Sequence, residues 1–207
     1  MNEKANEYSW FPLIVVACAS FIIVLDSFFM NVSISRIVVD LNADVSTIQM
    51  IVSFCTLITA ALILFSTKLQ DIVGKKKLFV IGAALFGIGI FAAVLSSSVT
   101  MFFVGWAAIK GVAAALMLPA IVSIISGIYS GRKRTIALAT LGVMAGLADI
   151  LAPLLGGIIT TFFSWRYTFA FELIFILFIL VMQNKIPDFK PTESKSDLDI
   201  IGAILSG

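Results

Sequence analysis

Six runs of about twenty apolar residues follow one another along this chain, and that is the length an α-helix needs to cross the hydrocarbon of a bilayer. They cover Trp10 to Ile34, Ser46 to Ser66, Leu78 to Ser96, Met101 to Ile125, Thr135 to Thr160 and Trp165 to Gln183. Backbone groups inside hydrocarbon find no water, so each run must satisfy its own hydrogen bonds as a helix. No strand-length alternation suggests a barrel. The predicted fold class is therefore an all-α integral membrane protein. Charged residues make up only 13% of the chain, against about 25% in a soluble domain. The net charge of +2 is too small to point to nucleic acid.

The basic residues set the orientation. With alternating spans, Lys4, Lys68, Lys75, Lys76, Lys77, Arg132, Lys133, Arg134, Lys185, Lys190 and Lys195 fall on one side, and only Arg36 and Arg166 on the other. Eleven against two places the N-terminus and the basic connectors in the cytoplasm of a multi-pass protein of the cell membrane. Residues 1–9 carry one Lys against two Glu, and the apolar run behind them is longer than the ~7–15 residues of a signal-peptide core, so it reads as a retained first span. The expected domains are a cytoplasmic N-terminus (1–9), a six-span bundle (10–183), a cytoplasmic linker (184–199) and the start of a seventh span (200–207).

Two features carry chemistry. The first is the connector Thr67–Lys77, in which Leu69, Asp71 and Gly74 precede Lys75, Lys76 and Lys77. An acid beside three lysines can lock helix ends by charge-assisted bonds that break when helices rock. The alternative is plain anchoring to anionic lipid. The second is a set of ionisable residues inside the apolar runs: Asp26, Lys110, Asp149 and Glu172. A charge at the bilayer centre costs about 2.5–3.5 kcal/mol on insertion scales, so such residues face a cavity or each other. Lys110 is expected to pair with Asp26 or Asp149. An acid that gains and loses a lysine partner can take up and release a proton. The competing readings are a fixed ion pair that orients helices and snorkelling at the lipid edge. Phe28, Asn31 and Gln49 are weaker candidates for a substrate path, with Thr56, Phe29 and Phe54 beside them. Gly82, Gly87 and Gly89 read as packing, and Cys18 and Cys55 as small core residues.

With these residues in view, the chain resembles the N-terminal six-helix half of a major facilitator superfamily transporter, and most of all its fourteen-span drug:proton antiporter branch. Leu25-Asp26 followed by Asn31-Val32 matches the first-span motif, with Ser35 in place of its proline. Leu69, Asp71, Gly74, Lys75 and Lys76 match the signature loop, with Thr67 for its first glycine and Ile72 for a basic residue. Pro153, Gly156 and Gly157 match the antiporter motif, although Ala139, Ala148 and Ala152 stand where that motif has glycines. Ser164-Trp165-Arg166-Tyr167 with Phe169 matches the start of the sixth span. The fourth span departs most. Ala107 stands where the family has arginine, and Lys110 occupies its glutamine position, one helical turn on and on nearly the same face.

The resemblance implies two inverted three-helix repeats and alternating access, with proton-coupled export of hydrophobic drugs or other small molecules. The implied partners are the bilayer, a small-molecule substrate, protons, and a second six-helix half or a second copy of the chain. A non-transporting remnant or interaction subunit is the competing expectation. Gating is implied for the lysine connector, and antiport for Pro153, Gly156 and Gly157. No glycine loop precedes Lys-Ser/Thr, no zinc spacing occurs and no nucleophile–base set is present. No cofactor, metal or enzymatic activity is expected.

Overall fold

The computed structural model describes residues 10–189, and these form six long helices. They are α1 (Phe11–Asp40), α2 (Val45–Val73), α3 (Lys75–Val94), α4 (Val99–Ile128), α5 (Gly131–Phe162) and α6 (Trp165–Met182). A 3-10 turn, Gln183–Lys185, closes α6. No strand occurs among the described residues. The expected termini at 1–9, the linker beyond 189 and the start of a seventh span at 200–207 lie outside them.

Local chemistry sets the breaks. Pro12 sits in the first turn of α1, where its missing N–H costs nothing. The Oγ of Ser98 accepts from the N–H of Met101 at the start of α4, and the Oγ of Ser164 does the same for Arg166 at α6. Gly74 alone separates α2 from α3. Its φ of 100° lies in the region that L side chains avoid, so a chiral residue there would strain the corner. The eleven-residue connector expected from sequence is therefore a one-residue corner. Leu69 and Asp71 belong to α2, and the three lysines form the first turn of α3.

Short connections make neighbouring helices antiparallel and collect the basic residues at one end of the bundle. There Trp10 stacks on Tyr129, and Lys185 lies over Phe11. At the opposite end Asp40 accepts from Trp165 Nε1 at 3.0 Å and pairs with Arg166, whose Nη2 donates to the Ser96 carbonyl at 2.7 Å. That knot ties the ends of α1, α3 and α6 together. Asp40 stands at the end of an apolar run, and no local pattern in the sequence marks it as the partner of Arg166.

The packing follows an internal two-fold. Exchanging α1–α3 for α4–α6 maps the α1–α5 contact onto α4–α2, the α1–α6 contact onto α4–α3, and α3–α6 onto itself. The two triplets run in opposite directions, as inverted repeats require. α1 is the central helix, with 67% of its most apolar window buried, whereas α2 and α5 bury only 17% of theirs. This leaves α2 and α5 as the open flanks of the bundle.

Candidate functional site

The centre of the bundle holds a buried electrostatic cluster. Asp26 on α1 and Lys110 on α4 are 1% and 3% exposed and form an ion pair. Of the two partners open to Lys110 in the sequence, the structure selects Asp26. The second Asp26 oxygen accepts from Trp106 Nε1 at 3.0 Å. The Lys110 ammonium also lies 3.4 Å from the centre of the Trp106 ring, where the aromatic face attracts a cation. Each partner thus has two satisfied contacts, as a charge kept from water requires.

The backbone of α4 places these groups. Phe103–Ile109 is a π-helical stretch, a widened turn that often marks functional positions. It carries Trp106 and Ala107 and delivers Lys110 at its end. The stretch packs on α3 through two glycines. A Cβ on Gly89 would meet the Gly105 carbonyl oxygen at 2.7 Å and the Lys110 nitrogen at 3.0 Å. On the other side, Thr59 of α2 donates to the Gly111 carbonyl at 3.1 Å, while also bonding to Cys55 in its own helix.

The pair opens onto a cavity of about 260 Å³ between α1, α2 and α4. Ile23, Phe86 and Leu118 supply apolar walls, and Cys55, Thr56 and Thr59 add polar atoms beside Asp26 and Lys110. Cys55 is buried in the core, as the sequence suggests, and it also borders the cavity. Of the weaker path candidates, only Thr56 lines this cavity. Phe28 is half-buried, Gln49 is exposed and Asn31 is exposed and bonded back to Ser27. Phe29 packs fully buried within the core, and Phe54 packs edge-on to Phe103 beside a second, apolar groove.

Glu172 on α6 is fully buried; neither carboxyl oxygen accepts a hydrogen bond from a donor among the described residues, and its one side-chain partner is the Asp26 carboxyl. It lies within electrostatic reach of Asp26 and Lys110 and does not line the cavity. Asp149 is not part of the cluster. It is exposed on α5 and enters no ion pair among the described residues. Composition places it among the intramembrane charges, but its helix turns it outward.

The basic end departs from expectation. Asp71 pairs with none of the lysines among the described residues. Lys76 binds Asp188 at 3.1 Å and Lys75 lies over the Phe189 ring, so the segment after α6 straps the α2–α3 corner. Phe189 is seated on Gly127 near the end of α4, where a Cβ would meet its ring at 2.6 Å. Gly127→Ala is expected to unseat Phe189 and speed tryptic cleavage after Lys185, by a factor of about 5 for each 1 kcal/mol of strap stability lost. An unchanged cleavage rate would show that the strap bears no load.

No backbone of another helix is among the nearest neighbours that a Cβ at Gly156 or Gly157 would meet. α5 runs unbroken through Pro153, which is exposed. Gly156 faces the Phe29 side chain rather than another backbone, and a Cβ on Gly157 would meet nothing within 4 Å.

Comparison with known proteins agrees with this architecture. The sequence profile of the Major Facilitator Superfamily matches residues 16–197. The chain is 26% identical over 197 residues to the riboflavin transporter RibZ of Clostridioides difficile (strain 630), covering 95% of this chain and 43% of that protein. It is 26% identical to the lincomycin resistance protein of Streptomyces lincolnensis, with 99% and 42% covered. It is 30% identical to the cephamycin export protein CmcT of Amycolatopsis lactamdurans, with 93% and 40% covered. The chain thus spans less than half the length of these curated relatives. Among solved structures, a POT peptide transporter in complex with alafosfalin superposes with a TM-score of 0.79 at 17% identity, over 94% of this chain and 44% of that one. The proton:xylose symporter XylE gives 0.73 at 16%, over 87% and 45%.

Proposed function

Because the chain belongs to the major facilitator superfamily, a family of membrane transporters rather than enzymes, we propose that it forms one six-helix unit of a proton-coupled exporter of small molecules. The observation that carries this reading is the buried Asp26–Lys110 pair, held against Trp106 and open to a cavity. The pair is neutral as a whole. A proton added to Asp26 dissolves it and frees Lys110, and loss of that proton restores it. Coupled to rocking of the helices, that cycle exchanges a proton for cargo. Facilitator folds carry their substrate near the bilayer midplane between two six-helix units. The open flanks of α2 and α5 fit a second unit or a second copy of this chain. The apolar walls suit a hydrophobic compound. Relatives named for riboflavin transport, lincomycin resistance and cephamycin export support small organic cargo. By the basic-residue bias, the N-terminus and the strapped end face the cytoplasm of the cell membrane, where Lys75, Lys76 and Asp188 would act as a gate.

Efflux of an apolar fluorescent dye from cells expressing the chain tests this reading. Export that stops with a protonophore and with Asp26→Asn is expected. Efflux indifferent to both would overturn proton coupling through Asp26. A stably inserted chain that moves no dye would overturn transport by paired copies and leave the second unit to another polypeptide.

A further inference from the structure

The cluster contains one more acid than the ion pair uses. Asp26 is satisfied by Lys110 and Trp106. Glu172 has no lysine or N–H donor on its oxygens and has only the Asp26 carboxyl as a side-chain partner, although it is completely buried at the centre of the bundle. An ionised carboxylate in apolar surroundings with no hydrogen bond costs many kcal/mol, whereas a neutral carboxyl costs far less. The charged groups that face it are Asp26 from α1 and Lys110 from α4. α3 carries lysines only in its first turn, at the basic end, and the acid of α5, Asp149, is exposed. Among the described residues, Lys110 is the one cation that acts on Glu172.

The cavity adds the second constraint. Asp26 and Lys110 line it and Glu172 does not. A proton arriving from the cavity therefore meets Asp26 first, and Glu172 lies behind it.

We propose that Glu172 is a proton-holding site closed off behind Asp26, and that the two carboxyls exchange one proton as Lys110 changes partner. In the state described here, the proton sits on Glu172 and Lys110 pairs with Asp26. In the alternate state, the Glu172 O–H bond breaks and an O–H bond forms on an Asp26 oxygen. Lys110 remains an ammonium throughout and moves to the new Glu172 carboxylate. Net charge is conserved, and no charge is left unpaired in the hydrocarbon at either stage. The cluster stores a proton out of reach of cargo while Asp26 is exposed to the cavity. The use of that store in transport rests on the reading above, but the proton site itself is testable without transport.

The test is infrared spectroscopy of the full chain, purified into lipid vesicles at neutral pH. The wild-type chain is expected to show a protonated-carboxyl C=O band that shifts slowly in heavy water, and Glu172→Gln removes it. Asp26→Asn fixes the second acid in a neutral form, so Glu172 is expected to ionise against Lys110 and the band to vanish. In the double variant Asp26→Asn/Lys110→Met, the charge that drew the proton off is gone and the band returns. Absence of the band from the wild-type chain overturns the proton site. Persistence of the band in Asp26→Asn overturns the exchange, because Glu172 would then hold its proton regardless of Asp26. The wild-type and Asp26→Asn measurements leave Glu172 untouched, so the result does not depend on whether Glu172→Gln folds. Loss of dye efflux with all bands as expected would instead fault the transport reading.

Discussion

Lys110→Met is expected to destabilise the bundle by about 3–5 kcal/mol, the usual penalty for stranding one partner of a buried ion pair. The variant leaves the Asp26 carboxylate with only the Trp106 N–H, at 1% exposure. It also removes the ammonium from the Trp106 face, a contact worth about 2 kcal/mol when desolvated. The double variant Asp26→Asn/Lys110→Met is expected to recover most of that loss, since a neutral amide beside an apolar chain carries no unpaired charge. Replacing a whole buried pair by apolar groups is often neutral or even stabilising. Thermal unfolding in detergent, followed by tryptophan fluorescence, checks both. Dye efflux should separate them: the double variant folds but does not export. If Lys110→Met unfolds at the wild-type temperature, the pair is loose and carries neither stability nor coupling. If the double variant exports normally, the pair is a static helix-orienting device.

The number and order of the helices were legible in the sequence because the bilayer demands a fixed apolar length. Their ends were not. α2 continues to Val73, past the hydrocarbon limit that stopped the sequence reading at Ser66, and so carries Asp71 on a helix. Asp26 and Lys110 stood out because charges inside apolar runs are rare, yet their pairing needed the fold, since Asp149 looked equally eligible. Trp106 was missed, one aromatic among many in an apolar run. The signal available was its place four residues before Lys110, and the π-helical turn that aims both at Asp26 has no sequence signature. The strap was illegible for another reason. It joins Lys76 to Asp188, 112 positions apart in the chain, and no local pattern announces such a contact.

The second large effect concerns the glycines that hold α4 in register. Gly89→Ala is expected to be among the most damaging small substitutions in the chain. Its Cβ would sit 2.7 Å from the Gly105 carbonyl oxygen and 3.0 Å from the Lys110 nitrogen, and Gly105 in turn has Ala93 N and Gly89 O at 2.9 Å. These are backbone atoms, so no side chain can rotate away and the helices must part. Overpacking of this kind costs about 1–3 kcal/mol, and Gly89→Val should exceed it. The movement also displaces Lys110, so efflux should fall further than stability alone accounts for. Gly82→Ala is expected to be damaging as well, because its Cβ would meet the buried Met117 Cγ at 2.6 Å and the Ala113 carbonyl oxygen at 3.1 Å. Gly157→Ala supplies the opposite sign. It is the same exchange inside a helix, but its Cβ meets nothing within 4 Å. The helix there should gain about 0.5–1 kcal/mol, since alanine loses less backbone freedom than glycine. Melting temperatures that fall for Gly89→Ala and rise slightly for Gly157→Ala would establish the α3–α4 contact as the element that positions the buried lysine. Equal behaviour of the two variants would mean that α3 and α4 are not locked at these glycines, and that Lys110 is held by its ion pair alone.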